Sequence, residues 1–247
     1  MLKTVYESLL TLVYPRECRI CGNSVENSAD GVACAECWDK VRIFDGTEVL
    51  CEKCGAYLGK AGEKTGVLCR ECDHHYYDQA FAGGIYEQAL AATILQLKTD
   101  PHLCRRTKEI LRAAYDRASD RRPTFIIPVP ISRKRFHERG FNQAELLAEC
   151  LSKQFRIRMA NKILIRKSHT PMHRAAMDRK AREVTVKNAF DVVDGSELNG
   201  SHVLLVDDVF TSGSTLSACA AILKKNGASR VDVLTLARAV EFRSAKI

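Results

Sequence analysis

From residue 80 onward, short apolar runs alternate with stretches in which apolar residues recur every three or four positions. That alternation is the signature of strands and amphipathic helices in turn. Residues 80–86 read as a strand or bend holding Gly83-Gly84. Residues 87–98 and 103–118 read as helices interrupted at Pro101, and TFIIPV at 124–129 as a buried strand. Residues 142–155 read as a helix opened by Asn142, with Glu145 at capping-box spacing and Leu147, Leu151 and Phe155 on one face. Residues 162–166, 203–206 and 230–237 read as strands, and 213–225 as a helix closed by Gly227. Residues 168–187 are polar and basic and read as a long loop. Apolar strands alternating with helices predict a mostly parallel sheet with helices on both faces.

The pattern before residue 78 is different. Leu2, Val5, Leu9, Leu12 and Val13 recur at helical spacing with Lys3 and Glu7 between them. They predict a short amphipathic helix packed on the body, with a membrane-surface role as the alternative. No basic-then-apolar block with a cleavage site follows, and no apolar run approaches a bilayer span, so stable membrane insertion is not expected. The rest of this segment has too little apolar periodicity for a core of its own, and small domains of that kind need staples. The expected division is 1–77, a helix and a metal-stapled segment, and 78–247, the α/β domain.

Composition supplies the staple. Of 11 cysteines in 247 residues, eight form four C-x-x-C pairs: Cys18/Cys21, Cys34/Cys37, Cys51/Cys54 and Cys69/Cys72. Such pairs place two thiolates on one side of a metal, and the spacings match a double zinc ribbon. Gly22 and Gly55 follow a second cysteine, as knuckle turns require. Redox pairs and iron–sulfur ligation are the other readings of such spacing. Sequential pairing, four ligands per ion, is the preferred arrangement, with cross-bracing as the alternative. Sites of four thiolates leave no open position, so the expected role is structural. Free thiols as metal ligands fit a reducing, cytoplasmic setting. His74 and His75 are expected at the surface; Cys104, Cys150 and Cys219 are expected on helices as small core residues. The formal net charge is +8; eight thiolates and two zinc ions would bring it to about +4. A charge of that size suits an anionic partner without requiring nucleic acid.

The chemistry concentrates in LLVDDVFTSGST, residues 204–215. Asp207 and Asp208 follow a branched apolar strand, where open α/β sheets bind ligands. Thr211, Ser212, Gly213, Ser214 and Thr215 then lead into a helix whose N–H groups and dipole favour an anion. Vicinal ribose hydroxyls can donate to the acids while a 5-phosphate sits on the helix start. The triphosphate-loop pattern G-x-x-x-x-G-K-[ST] does not occur. A second stretch, residues 126–149, turns after Pro128-Val129-Pro130 and presents Arg133, Lys134, Arg135 and Arg139. Guanidinium forks suit pyrophosphate oxygens; a solvated basic helix face is the alternative.

The block PVPISRKRFHERGFNQ, with the four cysteine pairs, the Tyr86 to Lys98 segment and the D-D loop, resembles the ComF family of bacterial proteins linked to natural competence and DNA uptake. The resemblance implies a zinc-bearing segment ahead of a type I phosphoribosyltransferase-like domain. It implies that phosphoribosyl pyrophosphate binds with Mg²⁺. Asp207 and Asp208 would hold the ribose hydroxyls and Thr211 to Thr215 the 5-phosphate. Lys98, Arg133, Arg135 and Arg139 would complete the substrate-binding set. In 6-oxopurine transferases the position of Thr211 carries an aspartate that acts on the base, so threonine here points away from hypoxanthine or guanine salvage. The family's L-K-Y-[RK]-G-D stretch appears as Leu97-Lys98-Thr99-Asp100. Within the segment from Arg166 to Phe190, which resembles a hood over the site, His173 replaces the usual glutamine and Thr185 the usual asparagine. These departures bear on group transfer more than on binding. A non-catalytic module is the alternative function. It would bind single-stranded DNA, with stacking on Trp38, Phe44, Tyr76 or Tyr77.

Overall fold

The computed structural model describes residues 16–60, 67–69, 72, 74–118, 122–167 and 189–240. A short helix α1 (Ala35–Asp39) and the antiparallel strands β1 (Glu48–Leu50) and β2 (Tyr57–Lys60) belong to the cysteine segment. The chain then enters the main sheet through β3 (Gln79–Ala82), followed by α2 (Gln88–Gln96), α3 (Arg105–Ala118) and β4 (Phe125–Pro128). Helices α4 (Arg133–Arg139) and α5 (Gln143–Phe155) precede β5 (Arg158–Met159), β6 (Leu164–Arg166) and β7 (Phe190–Val192). The strand β8 (His202–Phe210), the helix α6 (Ser214–Lys225) and the strand β9 (Arg230–Arg238) complete the domain.

The sheet order is β3-β9-β8-β4-β5, and every pairing is parallel. This is the expected architecture, and the reason is visible in β8. Leu204 and Val206 face one core with Ile126, Leu147 and Leu151, while Val203 and Leu205 face the other with Ile127, Cys219 and Leu223. A stretch buried on both faces must be apolar at every position, as Val203 to Val206 are within β8.

The two ribbons are built into those two cores. Cys18, Cys34, Cys37 and Trp38 share a cluster with Leu90, Leu111 and Leu151. Cys51, Cys54, Cys72 and Tyr77 share the other with Phe210, Leu216 and Cys219. Gly83 and Gly84 let the chain after the first ribbon approach the sheet. A Cβ on Gly83 would lie 2.6 Å from the Leu236 carbonyl oxygen, and one on Gly84 2.5 Å from that of Arg42. Side chains do not fit at such distances.

Several expectations are corrected. β6 pairs antiparallel with β7 outside the main sheet, because its partner lies just beyond residues 168–187. Asn142 caps α5 by accepting from the Ala144 amide at 3.1 Å, not through a reciprocal box with Glu145. Its Nδ2 also donates to the Val129 carbonyl at 3.0 Å, tying the Pro-Val-Pro turn to the helix start. Cys104 precedes α3 instead of lying on it, and Cys150 is half-buried. The amphipathic segment at the N-terminus and the loop 168–187 lie outside the described residues. No helix among the described residues is long and apolar enough to cross a membrane.

Candidate functional site

Asp207 and Asp208 stand within β8, four residues longer at this end than the apolar run suggests. The neighbouring strand β4 ends at Pro128, opposite Val206. On the other side the ladder continues, with Asp207 opposite Thr235 and Phe210 opposite Arg238. The acids therefore emerge at the sheet's carboxyl end where one neighbouring strand has stopped, the place where open α/β sheets bind ligands. The Asp208 amide donates to Asp207 Oδ1 at 2.9 Å.

Their surroundings are electrostatically strained. Burial, followed by the charge of Asp208, raises the Asp207 carboxyl well above the usual carboxylate range. Arg135 lies near enough to oppose that shift. Burial and then the charge of Arg135 lower the Arg166 guanidinium, with Asp207 acting the other way. Arg135 and Arg166 thus both lie within electrostatic reach of Asp207. Arg166 Nε is buried without a hydrogen-bond partner, and its guanidinium carbon lies 5.2 Å from the Phe190 ring centroid. On the opposite side, burial and then Asp208 raise the Tyr86 hydroxyl. Arg166 and Tyr86 were absent from the substrate-binding set expected from sequence. Each comes from a segment distant in sequence from β8, so no local pattern links it to the acids. The available signals were Arg166 at the head of the hood-like segment and Tyr86 at the head of the Tyr86 to Lys98 segment that shares in the resemblance.

The basic residues divide. Arg133, Lys134, Arg135 and Arg139 all lie on α4, whose N-cap Ser132 accepts from the Arg135 amide and whose C-cap Gly140 is left-handed. Arg135 lies close enough for its charge to act on Asp207. Arg139 donates to Gln143 Oε1 at 2.9 Å. Arg133 lines a cavity of about 250 Å³ with Pro130, Ile131, Phe136, His137 and Glu145. Burial raises the Glu145 carboxyl there. Lys98 is half-buried just beyond α2 and makes no ion pair among the described residues.

Past the acids, Thr211 and Ser212 are exposed and Ser214 and Thr215 half-buried. Ser212 Oγ and Ser214 Oγ lie 3.0 Å apart. Gly213 is the N-cap of α6 at φ 74°, with no side-chain cap. The Ser214 amide donates to Ser212 Oγ at 3.4 Å; the first N–H groups of a helix have no partner inside it, so this end suits an anion. A Cβ on Gly213 would lie 2.7 Å from Phe210 Cζ and 3.1 Å from His75 Cε1. Glycine is required both by the positive φ and by this floor of rings.

Each set of four cysteines brings its Sγ atoms within 4.8 Å of one another, in the sequential arrangement: Cys18, Cys21, Cys34, Cys37 and Cys51, Cys54, Cys69, Cys72. Separations of 3.6 Å for Cys21–Cys34 and for Cys51–Cys72, and 3.4 Å for Cys54–Cys69, approach the ~3.8 Å edge of a zinc–thiolate tetrahedron. Burial raises the Cys18 and Cys51 thiols, but backbone amides outweigh it and bring them down to about 6 and about 7. Burial pushes Cys54 up to about 12. Four thiolates this close need a cation, and the donor set fits structural zinc. His74 is exposed; His75 is half-buried and stacks on Tyr77 at 5.0 Å.

Three of the aromatic residues expected to stack on single-stranded DNA are core residues. Trp38 is 4 % exposed, Phe44 1 % and Tyr77 1 %, whereas Tyr76 is 49 % exposed. They pack the ribbons onto the domain.

Residues 9–74 match the model of the double zinc ribbon domain, and residues 142–246 match that of the phosphoribosyl transferase domain. Competence protein F of Haemophilus influenzae is 31% identical over 229 residues, covering 90% of this chain and 96% of that protein. Competence protein ComFC of Bacillus subtilis is 26% identical over 225 residues, covering 85% of each. The DNA utilization protein YhgH of Escherichia coli is 36% identical over 116 residues, covering 47% of this chain and 50% of the other. Among solved structures, a hypoxanthine phosphoribosyltransferase from Staphylococcus aureus aligns at 13% identity. It covers 57% of this chain and 65% of that one, with a TM-score of 0.35.

Proposed function

This chain belongs to the ComF family of competence proteins, and we propose that the end of its sheet carrying Asp207 and Asp208 binds phosphoribosyl pyrophosphate with Mg²⁺. The observation that carries this reading is an acid pair in the same strand–loop–helix unit as a helix N-terminus, with two arginines in electrostatic reach of it. Asp207 and Asp208 lead through residues 211–213 into the start of α6. Arg135 and Arg166 both act on the charge of Asp207. The ribose hydroxyls would donate to the acids, the 5-phosphate would take the α6 amides, and the pyrophosphate would take the arginines. A pyrophosphate-bound divalent cation would ease the repulsion between the two carboxylates and withdraw charge from the leaving group. The chain's own contribution is to hold the sugar and stabilise the departing pyrophosphate. Transfer of the phosphoribosyl group, or hydrolysis of the pyrophosphate, is the chemistry this permits. Thr211 supports an acceptor other than a 6-oxopurine. The relatives' names support a role in competence or DNA utilization, in which this activity would serve nucleotide handling during uptake.

The division of labour is testable with two ligands. Wild type should bind both phosphoribosyl pyrophosphate and ribose 5-phosphate in calorimetric titrations with Mg²⁺. Arg135→Gln should lose about tenfold or more of the affinity for the first and little for the second, since a charge-assisted contact is worth about 1.5–3 kcal/mol. Wild type that binds neither ends the reading.

A second reading, single-stranded DNA binding without turnover, draws on Phe136. It is 50 % exposed on α4 among Arg133, Lys134 and Arg135. Rings beside cations of this kind support base stacking. Oligonucleotide titrations over a range of salt test it, and no binding even at low salt excludes it.

A further inference from the structure

We propose that Arg238 couples the second zinc site to the phosphate loop, so that zinc in the Cys51/Cys54/Cys69/Cys72 site holds residues 211–215 in binding geometry. Arg238 is the last residue of β9 and pairs with Phe210, the last residue of β8. Its guanidinium reaches into the second ribbon. Nη1 donates to the Cys54 carbonyl, and Nη2 lies 3.7 Å from Cys54 Sγ. A zinc-bound thiolate keeps negative charge and accepts such bonds, and outer-shell donors of this kind orient metal ligands. The same guanidinium covers the Phe210 ring, with Cζ 4.0 Å from its centroid.

Phe210 is in turn the floor of the loop. Its Cζ would lie 2.7 Å from a Cβ on Gly213, so ring and glycine are in direct contact. The rest of that floor also comes from the end of the ribbon. Tyr77 meets Phe210 edge-on at 6.0 Å, and His75 stacks on Tyr77 with its Cε1 3.1 Å from where a Cβ on Gly213 would lie. The His75 amide donates to the Cys72 carbonyl at 3.1 Å, and the Tyr76 amide to Ser217 Oγ on α6 at 3.1 Å. A continuous path therefore runs from thiolate to guanidinium to ring to the helix cap that would receive the 5-phosphate. The Arg238 carbonyl also accepts from the Tyr86 amide at 2.7 Å, which fixes the segment facing Asp208. The first zinc site packs into the opposite core and provides an internal control.

Coupling of this kind is reciprocal: ligand on the loop must tighten zinc in the second site as zinc tightens the loop. The proposal rests on the ribose 5-phosphate reading for the ligand's identity, but loop order can be measured without any ligand. Hydrogen exchange of the zinc-loaded protein is the first measurement. Arg238→Met, with both zinc ions retained, should raise exchange at amides 211–215 by about fivefold or more, leaving peptides around Cys18 to Cys37 unchanged. Arg238→Lys keeps the charge but cannot bridge carbonyl, sulfur and ring together, and should fall between. If Arg238→Met fails to fold or loses zinc, the test moves to wild type partly stripped by limiting chelator, with alkylation of freed cysteines showing which site has emptied. Emptying the second site should loosen the loop and emptying the first should not. The second measurement is chelator extraction from wild type, where saturating ribose 5-phosphate should slow release from the second site by about fivefold or more. Unchanged loop exchange overturns the coupling. Absence of ribose 5-phosphate binding overturns only the ligand reading and leaves the exchange result to decide the coupling.

Discussion

Asp207→Asn/Asp208→Asn should bind phosphoribosyl pyrophosphate about 100-fold or more weakly than wild type while folding at least as well. Two charge-assisted hydrogen bonds to ribose hydroxyls are lost, at about 1.5–3 kcal/mol each, and each 1.4 kcal/mol is about a factor of ten. The stability sign runs the other way. Burial and the Asp208 charge raise the Asp207 carboxyl. The folded protein therefore holds that proton more tightly than the unfolded chain, whose aspartates titrate near about 4. Above that pH, ionising Asp207 costs the native state free energy, and asparagine removes the cost at neutral pH. Calorimetric titration reads the first effect and a thermal scan at pH 7 the second. A variant that loses binding and also melts well below wild type would mean that the acids serve the fold and not a ligand.

Removing both zinc ions should lower the melting temperature by about 10 °C or more, at about 2–4 °C per kcal/mol for a chain of this size. Metal affinity in thiolate sites is folding free energy, about 10–16 kcal/mol in small zinc-folded peptides. Here the cost should extend beyond the ribbons. Cys34, Cys37 and Trp38 fill one face of the sheet, and Cys51, Cys54 and Tyr77 fill the other. Stripped of metal, the cysteine clusters must spread or protonate, and both cores lose part of their wall. Scanning calorimetry before and after chelation, with zinc content measured, checks this. An unchanged transition after verified metal loss would show that the ribbons hang on the domain without supporting it.

The parallel sheet was legible because its central strands carry short, largely apolar runs, FII in β4, VLLV in β8 and VLTLA in β9. Val203 to Val206 fit a stretch buried on both faces, and the acids beyond them mark the end where open α/β sheets bind ligands. The metal sites were legible from spacing alone, since two C-x-x-C turns complete a tetrahedron wherever they sit. α4 was legible in part. Ser132 and Gly140 bracket Arg133–Arg139 with a cap at each end, but a single apolar residue, Phe136, gave no periodicity to read. The roles of Arg166 and Tyr86 were hidden for a different reason: they come within electrostatic reach of the acids through tertiary packing from distant segments. The same cause misled the reading of Trp38, Phe44 and Tyr77. An aromatic residue in a metal-stapled segment can face a nucleic acid or a neighbouring core, and only the docking of the ribbons onto the sheet decides between them. Arg238 carried no sequence signal at all, because its partners Cys54 and Phe210 come together through that docking.

The most direct test of the central claim is a crystal structure of the zinc-loaded protein with phosphoribosyl pyrophosphate and Mg²⁺. The 5-phosphate is expected within hydrogen-bond distance of the amides at 211–215, with the ribose hydroxyls on Asp207 and Asp208 and the pyrophosphate beside Arg135 and Arg166. Density for the ligand elsewhere, or an acid pair that it leaves untouched at saturating concentration, would contradict the account.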